Sequence, residues 1–317
     1  MILHSIGLQA AATVTSVTRP QGPAAARINE LWWVMFWIAT VVCVVVFVLL
    51  LFSVVRPRGA QRGRPLSERF VVISGAVIPA IILVGLLAYS LGTNEVLAAP
   101  AADEALTIEV VGRQWWWEVR YPESGVVTAN EVVLPAGETV RLELTSLDVI
   151  HSFWVPGLNG KMDLIPGQVT ELPLRADRPG IHEGFCAEFC GIQHAKMLLS
   201  VIAMEPGDFD EWLAAQAEPA PAPTSDLVLE GRQVFLGSAC VYCHTVRGTN
   251  ASGKLGPDLT HVASRATLGA GAVVNTRGNL AGWIVNSQAI KPGNRMPPIY
   301  LDGPELQALL AYMETLR

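Results

Sequence analysis

Charged residues are scarce in this chain of 317 residues, because Asp, Glu, Lys and Arg together supply 16% of it against 51% hydrophobic residues. This balance excludes a disordered chain and is too apolar for an ordinary soluble protein. A basic excess is also missing, since the formal net charge is -6, and a nucleic-acid-binding protein normally carries a basic stripe or surplus. The length leaves room for two or three domains, so the composition predicts a membrane-anchored multidomain protein.

Cysteine is rare as well, with only five residues in the chain. Four of them form two close pairs, Cys186 with Cys190 and Cys240 with Cys243. Close pairs of this kind hold a metal or a cofactor more often than they staple a loop. The fifth, Cys43, lies inside a long apolar run, where we interpret it as a packing residue.

That apolar run extends from Leu31 to Val55 without one charged residue. As a helix it would reach roughly 37 Å, which exceeds a hydrocarbon core of about 30 Å. A buried core helix is the alternative interpretation. It is disfavoured because three tryptophans at one end of the run resemble an interfacial aromatic belt. These are Trp32, Trp33 and Trp37.

A second uncharged run, from Phe70 to Asn94, contains Pro79, which would break a soluble helix but is tolerated in lipid. The two runs predict a transmembrane hairpin over residues 29–95. The loop between them carries five arginines and a single acid, Glu68, and a short Arg-rich loop marks the cytoplasmic side. We therefore expect both termini outside the cytoplasmic membrane of a bacterium. The arginines are Arg56, Arg58, Arg62, Arg64 and Arg69.

Residues 1–28 are predicted to form an N-terminal tail. A cleaved leader is the alternative, but a signal peptide has a basic n-region. The first cation of this chain is Arg19, and no sharp cleavage site follows it.

Residues 96–212 show short alternating runs such as LTIEVV, TVRLEL and VTELPL, separated by turn signals such as PAGE and RPG. Several short strands at this spacing predict a cupredoxin-like β-sandwich. Loops from different strands meet at one end of a sandwich. His151, in the loop after TVRLELTSLDVI, is therefore expected to approach the later run CAEFCGIQHAKM at residues 186–197.

Together these segments offer two thiolates, two imidazoles and a thioether, a soft donor set that selects copper. One copper needs one thiolate, so two cysteines four residues apart predict a binuclear centre. A Cys2His2 zinc site is an alternative, although structural zinc seldom recruits a methionine. A disulfide between the cysteines is a second alternative. The donors are His151, Cys186, Cys190, His194 and Met197.

Three motifs, GRQWWWEVRY, HSFWVPGLNGKMDLIPG and CAEFCGIQHAKM, follow the two spans, and the region from residue 30 to about 210 resembles subunit II of haem-copper cytochrome c oxidase. The resemblance implies a mixed-valence CuA pair bridged by Cys186 and Cys190. It also implies one imidazole on each copper, from His151 and His194, with Met197 as an axial ligand.

The same resemblance gives Glu188 two roles: its backbone carbonyl binds copper, and its side chain reaches a magnesium ion shared with subunit I. Trp115 corresponds to the aromatic residue where electrons enter. Two positions differ or compete. His182 is a further candidate ligand, although the ligand set is complete without it. Val72 stands where many relatives carry a proton-path Glu, for which Glu68 could substitute, or protons enter through the partner subunit alone.

Residues 213–226 include the stretch PAPAPTSD, which predicts a semi-rigid linker. Beyond it, residues 227–317 contain Cys240, Cys243 and His244 in the CxxCH pattern of covalent haem attachment. Met296, in KPGNRMPP, is the candidate sixth ligand of a Met/His iron. Met313 is interpreted as a core residue and His261 as a weaker alternative ligand. The whole segment resembles an all-α class I cytochrome c.

The combination of the two outer domains resembles subunit II of a caa3-type oxidase. It implies that electrons pass from haem c to CuA and on to haem a in subunit I, where oxygen is reduced to water and protons are translocated. No catalytic residue is then expected in this chain itself. The implied partners are subunits I and III and a donor, which could be a soluble cytochrome c, a bc1 complex or another quinol-oxidising complex.

Three other functions remain as alternatives to this interpretation. The first is a nitric oxide reductase with a CuA subunit. The second is a quinol oxidase, whose subunit II lacks the copper ligands that are all present here. The third is a membrane-tethered electron carrier or copper-binding module that acts without subunit I.

Overall fold

A computed structural model describes residues 16–56 and 67–317. The chain divides into two compact units, one formed by residues 24–99 and the other by residues 100–317 together with the N-terminal segment up to Pro23. Three of the arginines on which the predicted orientation depends, Arg58, Arg62 and Arg64, lie outside the described residues. So does the first half of the predicted tail.

The first unit contains two long apolar helices. Helix α1, Pro23–Val55, has 33 residues, and helix α2, Glu68–Leu97, has 30 residues, so each is longer than the ~20 residues that cross a bilayer. Helix α1 starts at a proline, whose missing N–H costs nothing in the first turn. In α2 a π-helical turn, Ile73–Val77, immediately precedes the segment that contains Pro79, and such a turn accommodates a proline inside a continuing helix.

The second unit begins with a β-sandwich of two five-stranded sheets. Their strand orders are β3-β2-β1-β5-β8 and β4-β10-β9-β6-β7. The strands are β1 Thr107–Arg113, β2 Trp116–Tyr121, β3 Val126–Ala129, β4 Glu131–Pro135, β5 Val140–Ser146, β6 His151–Trp154, β7 Met162–Leu164, β8 Thr170–Leu174, β9 Gly180–Cys186 and β10 Leu198–Met204.

Strand β5 shows why the alternating sequence forms a sandwich. Its residues Val140, Leu142 and Leu144 are fully buried, while the residues between them are partly exposed. A side-chain period of two places every second residue in the core between the sheets. The predicted sandwich is confirmed. The largest fully buried side chain of its core is that of Trp117.

The C-terminal part of this unit is helical. Helix α3, Pro206–Ala217, follows the sandwich and extends into the segment predicted as a linker. The remaining helices form the C-terminal domain: α4 Asp226–Gly237, α5 Cys240–Cys243, α6 Arg277–Ile290 and α7 Gly303–Met313, with a two-stranded ribbon of β11 Thr267–Leu268 and β12 Val273–Val274. Helices α4 and α7 cross where Gly231 meets Ala308 so closely that a Cβ at Gly231 would lie 1.9 Å from the Ala308 carbonyl oxygen.

Candidate metal centre and haem site

Strand pairing brings the sulfur and imidazole groups to one end of the sandwich. Strands β6 and β9 pair with Phe153 opposite Cys186, so His151 at the start of β6 lies close to Cys186 at the end of β9. The chain then forms the cysteine loop, residues 186–197, before it enters β10. A 3-10 turn, His194–Lys196, near the end of this loop returns His194 towards the cysteines.

The predicted ligand groups meet where strand β6 lies against the cysteine loop. The two thiol sulfurs of Cys186 and Cys190 are 3.8 Å apart. Nδ1 of His151 lies 3.8 Å from Cys186 Sγ, and Nδ1 of His194 lies 3.6 Å from Cys190 Sγ. The Met197 sulfur is 3.8 Å from Cys190 Sγ, and the Glu188 carbonyl oxygen is 3.2 Å from Cys186 Sγ.

This donor set fits a soft metal ion, because two thiols, two imidazoles, a thioether and a carbonyl face one small volume. The three sulfur-bearing residues are also buried as a soft metal site would require: Cys186, Cys190 and Met197 are at most 4% exposed. A disulfide bond is about 2.05 Å long, so the disulfide alternative is wrong for this structure, in which both thiols are free.

His151 is held by a carboxylate on its far side. Its Nε2 donates a hydrogen bond of 2.9 Å to Asp148 Oδ1, which leaves Nδ1 directed at Cys186. Burial opposes a charge on Asp148, but hydrogen bonds from His151 and from the backbone amides of Gln114 and Val149 outweigh it and lower the pKa of this carboxyl. A carboxylate in this place fixes the ring orientation of a ligating histidine.

The two thiols titrate as a pair. The hydrogen bond between them lowers the pKa of Cys186, assisted by His151 and by backbone amides, while burial opposes the shift. The same hydrogen bond, together with burial, raises the pKa of Cys190. One thiolate therefore forms readily beside His151, and a thiolate is the form that binds a metal ion.

The side chain of Glu188 is partly exposed and lies near a lysine. Its Oε2 lies 3.5 Å from Lys161 Nζ, which also contacts Asp163 Oδ1 at 3.1 Å. Asp163 in turn accepts a hydrogen bond from Ser152 Oγ. Two carboxylates thus share one lysine next to the cysteine loop.

The CxxCH motif lies on α5 and the residue that follows it. Cys240 and Cys243 are half-buried free thiols one helical turn apart. His244 Nδ1 lies 2.8 Å from the carbonyl oxygen of Pro257, so Nδ1 carries the proton and Nε2 keeps its lone pair for a metal ion. Gly256 fits flat against the imidazole, because a Cβ there would lie 2.6 Å from Cε1 of His244.

Met296 lies in the methionine loop, residues 291–298, and is held through its backbone. Its carbonyl oxygen accepts hydrogen bonds from Ser287 Oγ and Gln288 Nε2, and its amide donates to Asn294 Oδ1. The free thiols of Cys240 and Cys243 and the His244 imidazole are the groups that covalent haem attachment uses.

The alternative ligands are placed elsewhere. Among the described residues, the three-membered His, Cys, Asp or Glu cluster with ligand atoms within 4.8 Å consists of His151, Cys186 and Cys190, and His182 does not join it. Both ring nitrogens of His261 face backbone carbonyls, of Arg317 at 2.7 Å and Glu218 at 3.0 Å. Met313 is 4% exposed in the helical core.

Sequence reasoning missed the groups that orient the site. Asp148 stands three residues before His151, but nothing in the pattern TSLDVIH distinguishes it from a surface turn residue. Gln114 was missed too, although its Nε2 donates to the Cys190 carbonyl at 2.8 Å. The contact between Gln114 and Cys190 joins residues of different loops, so only the folded sandwich shows it.

Comparisons with known proteins match both outer domains. Residues 125–204 match the family model for the periplasmic domain of cytochrome c oxidase subunit II, and residues 228–317 match that for cytochrome c. A cytochrome c oxidase subunit 2 of Alkalihalophilus pseudofirmus is 35% identical, over 94% of this chain and 90% of that protein. One of Bacillus subtilis is 29% identical, over 95% of this chain and 92% of its own.

The crystal structure of the periplasmic domain of subunit II of cytochrome oxidase from Bradyrhizobium japonicum is 32% identical, covers 37% of this chain and 95% of its own, and has a TM-score of 0.35.

Apolar anchoring helices, a cupredoxin-like sandwich with a thiol, imidazole and thioether cluster, and a helical CxxCH domain together define a membrane-anchored electron-transfer subunit. The chain belongs to the cytochrome c oxidase subunit II family. It is therefore part of a respiratory oxidoreductase, a cytochrome c oxidase. Its cytochrome c domain implies haem c, and its family implies copper.

Proposed function

We propose that this chain is the electron-accepting subunit II of a caa3-type cytochrome c oxidase. In this role it relays electrons from its covalent haem c to a binuclear CuA centre and on to haem a in subunit I, where oxygen is reduced to water with proton translocation. The observation that carries the proposal is the convergence of the thiols of Cys186 and Cys190 with two imidazoles and a thioether, in one chain with a CxxCH domain.

Cys186 and Cys190 would hold the copper pair through their sulfurs. His151 and His194 would each supply Nδ1, which lies 3.8 and 3.6 Å from the nearer cysteine sulfur, and Met197 and the Glu188 carbonyl would complete the donor set. Asp148 orients His151, and the fully buried Trp117 packs with its ring centroid 6.1 Å from that of His151. His151 and Cys186 enter the site on paired strands, and the other donors lie on the cysteine loop that follows Cys186.

Cys240 and Cys243 would attach haem c through thioether bonds, and His244 and Met296 would supply the ligand atoms for its iron. Pro257 holds the proton of His244 Nδ1, so the neutral ring presents Nε2. When bound, the iron and the copper pair supply one-electron oxidation and reduction, which is the chemistry that cofactors bring to a protein.

Helices α1 and α2 support a hairpin that crosses the bacterial cytoplasmic membrane twice, with both outer domains on the periplasmic side. Subunits I and III are the expected membrane partners, and a soluble cytochrome c, a bc1 complex or another quinol-oxidising complex is the expected donor. A magnesium ion shared with subunit I would use the Glu188 side chain, which lies beside Asp163 and Lys161.

The test is to measure metal and haem content of the purified full-length chain, together with electron paramagnetic resonance of its oxidised form. We expect two coppers per covalent haem and hyperfine structure from one electron shared between two equivalent coppers. One zinc ion, or a single mononuclear copper, would overturn the CuA proposal. Co-purification with subunit I distinguishes an oxidase subunit from a tethered carrier.

Cysteine variants provide a matched set of controls. Cys190→Ser removes one bridging sulfur and should abolish the shared-electron signal while the haem remains. Cys243→Ser should leave the haem bound through one thioether, with the copper signal unchanged. Cys43→Ser, an exposed position on α1, should change neither centre.

A further inference from the structure

A buried lysine lies where the C-terminal domain meets the β-sandwich. Lys291 is 2% exposed, and its Nζ donates to three backbone carbonyl oxygens: Trp115 at 2.8 Å, Lys196 at 2.7 Å and Gly269 at 2.8 Å. Trp115 and Lys196 belong to the sandwich, whereas Gly269 belongs to the same domain as Lys291. One ammonium group therefore uses all three of its N–H donors to join the two domains.

The two loops that Lys291 joins are those that carry the candidate redox ligands. Lys196 precedes Met197 in the cysteine loop, and Lys291 begins the methionine loop five residues before Met296. Two further hydrogen bonds join the methionine loop to the sandwich. Gln193 Nε2 of the cysteine loop donates to the Pro292 carbonyl, and Arg295 Nη2 donates to Gln114 Oε1 at 2.6 Å.

Backbone amides take part in the same interface. The Leu198 amide donates to the Ala270 carbonyl at 3.1 Å, and the Ala266 amide donates to Glu131 Oε1 at 2.8 Å. Each bond runs between the two domains. These amides therefore report whether the domains are docked.

Burial of an ammonium group is costly unless its donors are all paired. Burial lowers the pKa of Lys291 to about 7, the thiol of Cys190 acts in the opposite direction, and the nearby Lys196 lowers it further. Separation of the domains would leave Nζ with one of its three carbonyl partners, and would leave the Trp115 and Lys196 carbonyls to water. The arrangement is thus complete only in the docked state.

We propose that Lys291 is a positioning residue that locks the C-terminal domain onto the sandwich and seats the methionine loop against the cysteine loop. The inference rests on the proposed function in one respect, namely that these loops hold haem c and CuA. It adds that electrons cross a fixed contact within one chain and not a mobile one. With both cofactors bound, the docked loops would hold them for a one-electron transfer in which no bond forms or breaks.

The experiment compares the wild-type holoenzyme with Lys291→Met, which keeps a long unbranched side chain, one atom shorter, and removes the three donors. Hydrogen exchange of the Leu198 and Ala266 amides should become faster by about tenfold, equivalent to ~1.4 kcal/mol of docking free energy. Haem and copper spectra should not change. The fraction of molecules that transfer an electron from haem to copper in the fast phase should fall.

The matched control is Lys254→Met, the same substitution at an exposed lysine of the same domain, and it should behave as wild type. Unchanged amide exchange and unchanged fast electron transfer in Lys291→Met would overturn the inference. Altered haem and copper spectra would also overturn it, because they would indicate a role in folding or ligation instead of positioning.

A second measurement needs only the wild-type protein. Reductive methylation followed by mass spectrometry should modify Lys254 readily and leave Lys291 unmodified. Equal reactivity of the two lysines would contradict a buried, fully paired Lys291. Lysine modification and amide exchange can both be measured in a protein that lacks copper. A failure of the CuA proposal is therefore distinguishable from a failure of the proposed role of Lys291 in domain docking.

Discussion

The indole Nε1 of Trp115 donates a hydrogen bond of 2.9 Å to the carbonyl oxygen of Cys190. The carbonyl of the same tryptophan accepts from Lys291 on the other side. Trp115 is therefore bonded both to a candidate copper ligand residue and to the domain with the CxxCH motif. This placement suits the residue at which electrons are expected to enter the copper site.

Trp115→Phe should keep an aromatic side chain and remove the indole N–H. The Cys190 carbonyl would retain its second donor, Gln114 Nε2, so the lost hydrogen bond should cost about 0.5–1.5 kcal/mol, in addition to the packing lost with the smaller ring. Denaturant unfolding followed at the copper absorption measures it. Trp116→Phe is the control, because the Trp116 ring packs against Arg113 and makes no hydrogen bond to the cysteine loop. An equal loss of stability in both variants would contradict the role given to the Trp115 indole N–H.

Asp148→Asn should weaken copper binding. The amide would be a poorer acceptor for His151 Nε2–H, and loss of such an orienting partner typically lowers metal affinity about 10- to 100-fold. Competition with a copper chelator measures the affinity. Asp210→Asn, at an exposed position of α3, is the control and should leave it unchanged. Equal affinity in the Asp148 variant would show that strand β6 alone orients the histidine.

Much of the site could be predicted from local sequence. Cys186, Cys190, His194 and Met197 lie within twelve residues, so their convergence needs only one loop. His151 required the further step that the ends of two strands meet in a sandwich, and the pairing of β6 with β9 shows that meeting.

The domain interface could not be predicted in this way. Lys291 is a charged residue in a loop rich in proline and glycine, a context that indicates a solvent-exposed side chain. Its three partners are backbone carbonyls at residues 115, 196 and 269. Every residue has such a carbonyl, so the residue types do not indicate which ones bind the lysine.

The first turn of helix α1 could not be predicted either. The charge-free run shows only the apolar part of the helix, whereas the helix itself begins at Pro23.

Glu131 should make stability depend on pH. Burial raises its pKa from 4.5 to about 7, against the opposing effects of the Ala266 amide and Arg265. The folded protein then binds the proton more tightly than the unfolded chain, so stability is full below pH 4.5 and falls as pH rises towards 7. A shift of this size corresponds to about 3 kcal/mol.

Glu131→Gln keeps an oxygen acceptor for the Ala266 amide and removes the titration. Its thermal midpoint should vary less than that of the wild type between pH 5 and pH 8. Glu138→Gln, an exposed position in the turn after β4, should keep the wild-type slope. An unchanged slope in Glu131→Gln would assign the pH dependence to other groups.

Gly231→Ala should destabilise the C-terminal domain. An added Cβ would lie 1.9 Å from the Ala308 carbonyl oxygen and 2.9 Å from the Tyr312 side chain, so helices α4 and α7 would have to separate at their crossing. Overpacking of this kind costs about 1–3 kcal/mol. Gly237→Ala, at the end of the same helix, meets no atom within 4 Å and should be neutral or gain up to about 1 kcal/mol from helix propensity. Chemical denaturation followed by circular dichroism and haem absorption compares the two variants, and equal midpoints would mean that α4 and α7 do not need this close approach.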